Sequence, residues 1–350
     1  MRRILALMLC LCMVLCLGAC AVESVENNEN PVSEKNDDAR PEITDSPATA
    51  APEREVVRLG GLTGPTTMGM VKLLADNEEG LTENEYAFTL AGSADELTPR
   101  FIQGELDIVS VPVNLGSVLY NKTGGDVQML CVNTLGVLYV LEKGDKSVSS
   151  LADLVGKTIY ATGKGSTPEY TLAYLLEQQG LKLGEDVQVE WKSEPGEIVA
   201  QLVAMESAVC MLPQPYVTVA MSNVEGLEIR LDLTEEWDKL GTGTRLITSG
   251  IFVRKGYAEA HPEAVEKFLR EFEASVLYVN KHVEEGAELV EKYISVKSPV
   301  AKAAIPYCHM VCLRGADMVE STESFLSILL GQKPEAVGGS VPEADFYYGG

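Results

Sequence analysis

The chain has 350 residues, 46% of them hydrophobic, which is enough to bury a substantial core and long enough for two domains. Its formal net charge of -24 repels nucleic acid and anionic lipid, so neither is expected as a partner. Four of the eight cysteines lie within the first twenty residues, and Cys131, Cys210, Cys308 and Cys312 are too scattered for a disulfide scaffold.

Arg2 and Arg3 precede an almost purely apolar run over residues 4–17. About fourteen residues fall short of the roughly 20 that a membrane-spanning helix needs. The run and the small residues after it fit a cleaved secretory signal over residues 1–19. Leu17-Gly18-Ala19-Cys20 resembles the bacterial lipobox, which implies diacylation of Cys20 and a two-chain anchor on the extracytoplasmic face of the cell membrane. Residues 20–54 are rich in Glu, Asp, Asn, Pro, Ser and Ala, with few large apolar side chains. Such a stretch cannot offset its ordering entropy and is expected to be a disordered acidic tether.

From Val56 onward strand-like and helix-like segments alternate, the pattern of an α/β protein with mostly parallel sheets. Residues 56–59 read as a strand, 60–65 as a Gly-rich loop, and Thr66 as the start of a helix with Met68, Val71, Leu73 and Leu74 inward. Strands follow at 86–90 and 106–111, separated by a helix from Ser93 to Ile102. A longer strand region spans 127–141, interrupted at Asn133-Thr134-Leu135-Gly136. Beyond residues 143–146 a second unit begins, with strands at 158–161, 187–191 and 208–212 and helices opening at Ser166 and near Gly196. Residues 247–253 read as a strand returning to the first unit, and the remainder as mainly helical, starting with the amphipathic stretch after His261-Pro262-Glu263. The expected organisation is therefore one discontinuous lobe of 55–143 and 247–350, a second lobe of 144–246, and a cleft between them.

In open α/β sheets, ligands sit beyond the carboxyl ends of strands, where helix N-termini offer N–H groups and a positive dipole end. The polar residues at those positions are the candidate ligand groups. They are Thr63, Gly64, Thr66, Thr67, Ser93, Asn114, Asn133 and Thr134 in the first unit. In the second they are Gly165, Ser166, Thr167, Gln214 and Tyr216. Ser, Thr and Asn are also the preferred helix caps, so each alone could be structural.

Several motifs together carry a family resemblance. Residues 101–108, Phe-Ile-Gln-Gly-Glu-Leu-Asp-Ile, carry a Gly-x-hydrophobic-Asp signature, and 150–157 read Ser-x-x-Asp-Leu-x-Gly-Lys. Gly163 to Thr167, Pro215-Tyr216, Ile251-Phe252-Val253 and His261-Pro262-Glu263-Ala264-Val265 follow in order. With these, residues 56–331 resemble the type 2 periplasmic-binding-protein superfamily, in the branch that binds nitrate, sulfonates, taurine and thiamine precursors. The resemblance implies a monomeric receptor that captures a small organic or anionic solute between its lobes, uses no cofactor, and delivers it to ABC permease subunits. The chain departs from the branch beside Pro215-Tyr216, where Met211-Leu212-Pro213-Gln214 replaces the usual Trp and charged group.

Other chemistry is poorly supported. Gly163-Lys164-Gly165-Ser166-Thr167 lacks the spacing of a nucleotide-binding loop. Cys308 and Cys312 would share a face if helical, but no second ligand pair accompanies them, so buried thiols are expected and no metal site. The three histidines suggest no nucleophile–base pair, which argues against an enzyme of the pyrimidine-synthase type on the same fold. A receptor feeding a sensor instead of a permease remains the other alternative.

Overall fold

The computed structural model describes residues 54–349; the expected signal segment, Cys20 and the expected tether up to residue 53 lie outside the described residues. The strand β1 (Val56–Leu62) leads to a single turn of helix, α1 (Pro65–Met68), and then α2 (Val71–Glu78). β2 (Glu85–Ala91), α3 (Ala94–Ile102), β3 (Ile108–Pro112) and α4 (Val113–Thr123) follow. β4 (Val127–Leu135) and β5 (Leu138–Lys143) are separated by two residues. The middle of the chain supplies β6 (Thr158–Thr162), α5 (Thr167–Gln178), β7 (Gln188–Lys192), α6 (Pro195–Ala204) and β8 (Ala208–Pro213). α7 (Tyr216–Asn223), β9 (Leu227–Asp232) and α8 (Leu233–Asp238) complete it. The final third contains β10 (Ile247–Arg254), α9 (Lys255–Ala260), α10 (Pro262–Lys281), α11 (Val283–Ile294), α12 (Ser298–Ala304), β11 (Met310–Leu313) and α13 (Gly315–Gln332).

These strands form two sheets, one of six strands in the order β11-β4-β10-β3-β1-β2 and one of five in the order β7-β6-β8-β5-β9. Both are mixed, with most strands of each running one way, as the expectation of mostly parallel sheets had it. β10 runs antiparallel to β3 and β4, and β5 runs antiparallel to β8 and β9. The reason is topological: each of these strands carries the chain across from the other sheet, so it enters against the direction of its neighbours. The first crossing falls at Gly136-Val137, between β4 and β5, ahead of the boundary near Lys143 that the sequence suggested. A Cβ on Gly136 would lie 2.2 Å from Thr234 Oγ1 and 2.9 Å from Leu246, so the crossing is packed too closely for a side chain. His309, whose Nδ1 lies 2.5 Å from Gly136 O, clasps it from the other side. A carbonyl only accepts, so that nitrogen carries the proton.

The helices cover the sheets by amphipathic faces. α10 buries Val265, Phe268, Leu269, Phe272, Val276 and Val279 at spacings of three and four residues, as a helix with one apolar stripe should. α13 buries Phe325, Leu326 and Leu329 in a cluster reaching Met129 and Phe252 of the first sheet and Ile159, Leu172 and Trp237 around the second. The end of the chain, expected to be mainly helical, includes the strand β11. Cys312 therefore sits on a strand and Cys308 before it, and the two do not share a helical face. Burial pushes the Cys308 and Cys210 thiols up to about 12, which keeps them protonated and poor ligands.

The order β10-β3-β1 is pinned by one buried carboxylate. Asp107, immediately before β3, accepts from Arg58 N at 3.0 Å and Nε at 2.8 Å, from Arg58 Nη2, and from Arg254 Nη2 at 2.8 Å. Burial alone would raise this carboxyl, but hydrogen bonds from Arg58 and Arg254 outweigh it and hold it below the usual carboxylate range. A depressed folded pKa contributes stability above the unfolded value of about 3.9 and loses it as pH falls through the lower folded value. Asp107→Asn should destabilise the chain by roughly 3 kcal/mol, since it leaves two guanidiniums without a counter-charge. It should also flatten the fall in unfolding free energy below about pH 4. Urea titrations at pH 7 and pH 3 check both, and a variant as acid-sensitive as the parent would remove Asp107 from this role.

Candidate functional site

Two groups of the predicted residues come together in the structure. The first lies at one end of the six-stranded sheet, where α1 begins beside the ends of β3 and β4 and the start of β10. Asn133 donates through Nδ2 to Thr66 O at 2.6 Å and to Ser110 Oγ at 2.8 Å, and accepts from Ser249 Oγ at 2.7 Å. Ser110 in turn donates to Thr66 O at 2.6 Å, and Thr134 Oγ1 to Pro65 O at 3.4 Å. Asn133, Thr134, Ser110 and Ser249 are all buried, and this network fixes the backbone of α1 against the sheet. Ser110 and Ser249 were not singled out from sequence. The available signal was a serine breaking an otherwise apolar strand, as in Ile108-Val109-Ser110-Val111.

The second group joins the two sheets directly. α4 starts at the end of β3 in the first sheet, and α5 starts after β6 in the second. Thr167 Oγ1, in the first turn of α5, donates to Asn114 Oδ1, in the first turn of α4, at 3.2 Å. Both residues are more than nine-tenths buried, at 7% exposure for Asn114 and 3% for Thr167. Neither α4 nor α5 has a side-chain cap, so no side chain covers their first N–H groups. Two helix N-termini from different sheets thus meet at one hydrogen bond.

The remaining candidates divide. Thr66 Oγ1 turns back to Leu62 O at 3.3 Å, and exposed Thr63 donates to Ala91 O at 3.5 Å. Gly64, with φ of 125°, lets the chain turn into α1. Thr67 is fully buried, and its hydroxyl faces β1, where a Cβ on Gly61 would stand 2.5 Å from it. Successive helical residues point about 100° apart, so Thr66 and Thr67 cannot face the same way. Exposed Ser93 forms a capping box with Glu96, the structural role its position at a helix start allows. Ser166 Oγ donates to Gly163 O at 2.8 Å, and the Gly165 N–H is taken by the Glu169 carboxylate. Buried Gln214 donates through its backbone N–H to Val137 O at 3.0 Å, beside the crossing, and its Oε1 accepts from Thr218 at 3.0 Å. Tyr216 opens α7 and is half-buried.

The Asn114–Thr167 contact has an energetic test. Thr167→Val keeps the shape and removes the only hydroxyl that Asn114 Oδ1 meets, leaving a buried acceptor unpaired. The ligand-free chain should lose about 1–3 kcal/mol of stability. Chemical denaturation of Thr167→Val and of the double variant with Asn114→Leu should show the two losses to be non-additive; full additivity would mean the pair does not interact.

Residues 132–286 match the family described as NMT1/THI5 like, and no curated protein matches the chain in sequence. A crystal structure described as an ABC transporter from Parabacteroides distasonis superposes with a TM-score of 0.66 at 22% identity, covering 84% of this chain and 98% of that one. The periplasmic aliphatic sulphonate binding protein SsuA from Escherichia coli gives 0.66 at 18% identity, covering 83% and 93%. The alkanesulfonate-binding protein SsuA from Xanthomonas axonopodis pv. citri, bound to MOPS, gives 0.63 at 15%, covering 85% and 99%. Two mixed sheets flanked by helices, a chain that crosses between them, and neighbours of this kind establish the α/β fold of the periplasmic binding proteins, with the NMT1/THI5-like match running from Val132 to Gly286.

Proposed function

We propose that the chain is the extracytoplasmic solute-binding lipoprotein of an ABC importer, capturing a small organic or anionic solute between its two sheets. The observation that carries this reading is the meeting of the α4 and α5 N-termini at Asn114 and Thr167, in a fold whose solved neighbours include sulfonate-binding proteins. A solute seated there would touch both lobes and receive N–H groups from each. The lobes correspond to the six- and five-stranded sheets, with the second starting at β5. Among the described residues no helix is long and apolar enough to cross a membrane, so attachment in this reading rests on Cys20.

The full chain in detergent micelles, screened by thermal shift against sulfonates, nitrate, carboxylates, purines, pyrimidines and thiamine precursors, should be stabilised by one class. Saturation at a hundredfold excess over Kd adds about 2.7 kcal/mol, or roughly 4 °C for a body of about 300 residues. Deleting the gene should abolish uptake of that solute by the cell. Uptake that persists, or co-purification with a sensor in place of permease subunits, would defeat the importer reading.

Attachment has a separate test. Cys20→Ala should release the chain into the medium or leave it as an unprocessed precursor, read by fractionation and mass spectrometry of the N-terminus. Complete processing with normal membrane retention would rule out a lipid on Cys20.

A further inference from the structure

We propose that Asn114 selects for solutes that donate a hydrogen bond, so that an oxyanion without an N–H or O–H group is a poor ligand. The proposal rests on the receptor reading above and narrows its solute class. An amide side chain has two ends with opposite demands. Ala336 O can only accept, so the Asn114 atom 3.2 Å from it is Nδ2. Oδ1 is thereby turned toward α5, where Thr167 donates to it.

This orientation is held from behind. Ser117 Oγ donates to Val337 O at 2.8 Å, and Asn121 Nδ2 donates to Val337 O and Ser340 O, each at 2.8 Å. Asn114, Ser117 and Asn121 are three and four residues apart on α4, so one helix face grips one backbone segment. Rotating the Asn114 amide would set Oδ1 against Ala336 O, lone pair against lone pair, with no donor between them. The acceptor facing α5 is therefore built in.

A second acceptor reinforces it. The Glu169 carboxylate already occupies the Gly165 N–H in the loop before α5, a position an oxyanion would otherwise take. A solute between the two helix starts therefore meets N–H groups that favour its oxygens and, at Asn114, a lone pair that accepts only a donor. When the solute displaces Thr167, it must supply the proton that Thr167 supplied. The fitting class is a small solute with an amino, amide or hydroxyl donor beside its acceptor or anionic group. Losing that donor inside a water-excluding site should weaken binding at least about tenfold.

Matched pairs isolate this effect whatever the natural solute is. Ethanesulfonate and 2-aminoethanesulfonate, acetate and glycine, and pyrimidine and 4-aminopyrimidine are titrated calorimetrically into the full chain in detergent micelles. The amino member of at least one pair should bind at least about tenfold more tightly. Asn114→Leu should bring that ratio below about threefold. If Asn114→Leu fails to fold, Asn114→Ser, which withdraws the acceptor from the solute, has the same readout. Equal binding within every pair, or a ratio that survives the Asn114 change, overturns the proposal. So does the absence of saturable binding by all six compounds, and the uptake measurement then decides separately whether the chain is a solute receptor.

Discussion

Trp237 of α8 lies between Tyr174 of α5 and Phe325 of α13, with ring centroids 4.9 and 5.7 Å away. This contact joins an element of the second sheet's layer to a helix that also touches β4 and β10 of the first. Two backbone crossings alone would leave the sheets free to turn against each other. The aromatic contact adds apolar surface whose loss, by truncation of a single ring, costs about 3–5 kcal/mol. The facing of Asn114 and Thr167 follows from it, because their helices hang from sheets whose separation α13 sets.

Within that frame the polar interior is satisfied unevenly. Asn133 uses both amide hydrogens and its oxygen, so it rigidifies the end of the first sheet at little cost. The hydroxyls of Thr67, Thr171 and Thr234 are buried with no partner, and each carries a desolvation cost. Thr234 lies against Gly136, so one of these sits at the crossing between the sheets. Asn133 bonds within one end of the first sheet, whereas the Asn114 oxygen is bonded across to Thr167 of α5.

Much of the fold was legible because burial imposes pattern. The apolar run Ile108-Val109-Ser110-Val111 could only be a covered strand, and the spacing in α10 could only be a helix against a core. Asn114 and Thr167 were legible as polar residues where strands end and helices begin. Other features were hidden by length or direction. Leu227–Asp232 alternates apolar and charged residues as an exposed edge strand does, but its six residues and acidic surroundings resemble a loop. β11 has four residues, too few to declare a period, and exists because β4 offers it a partner. Sequence also could not reveal that Thr67 turns inward or that Asn114 shows its oxygen, since both depend on backbone contributed by distant segments.

β11 covers only the half of β4 near Val132 and Thr134. Beyond it the chain returns, and Tyr347 bridges to Met129 while the Tyr348 N–H bonds Met129 O at 3.0 Å. Uncovered, that stretch would present a row of unpaired backbone groups in Met129-Leu130-Cys131, an apolar template for another chain's strand. Edge-to-edge pairing is hardest to avoid where copies of a chain are held at high local density. The two short segments laid along β4 thus bear on how crowded the molecule can become before it associates with itself.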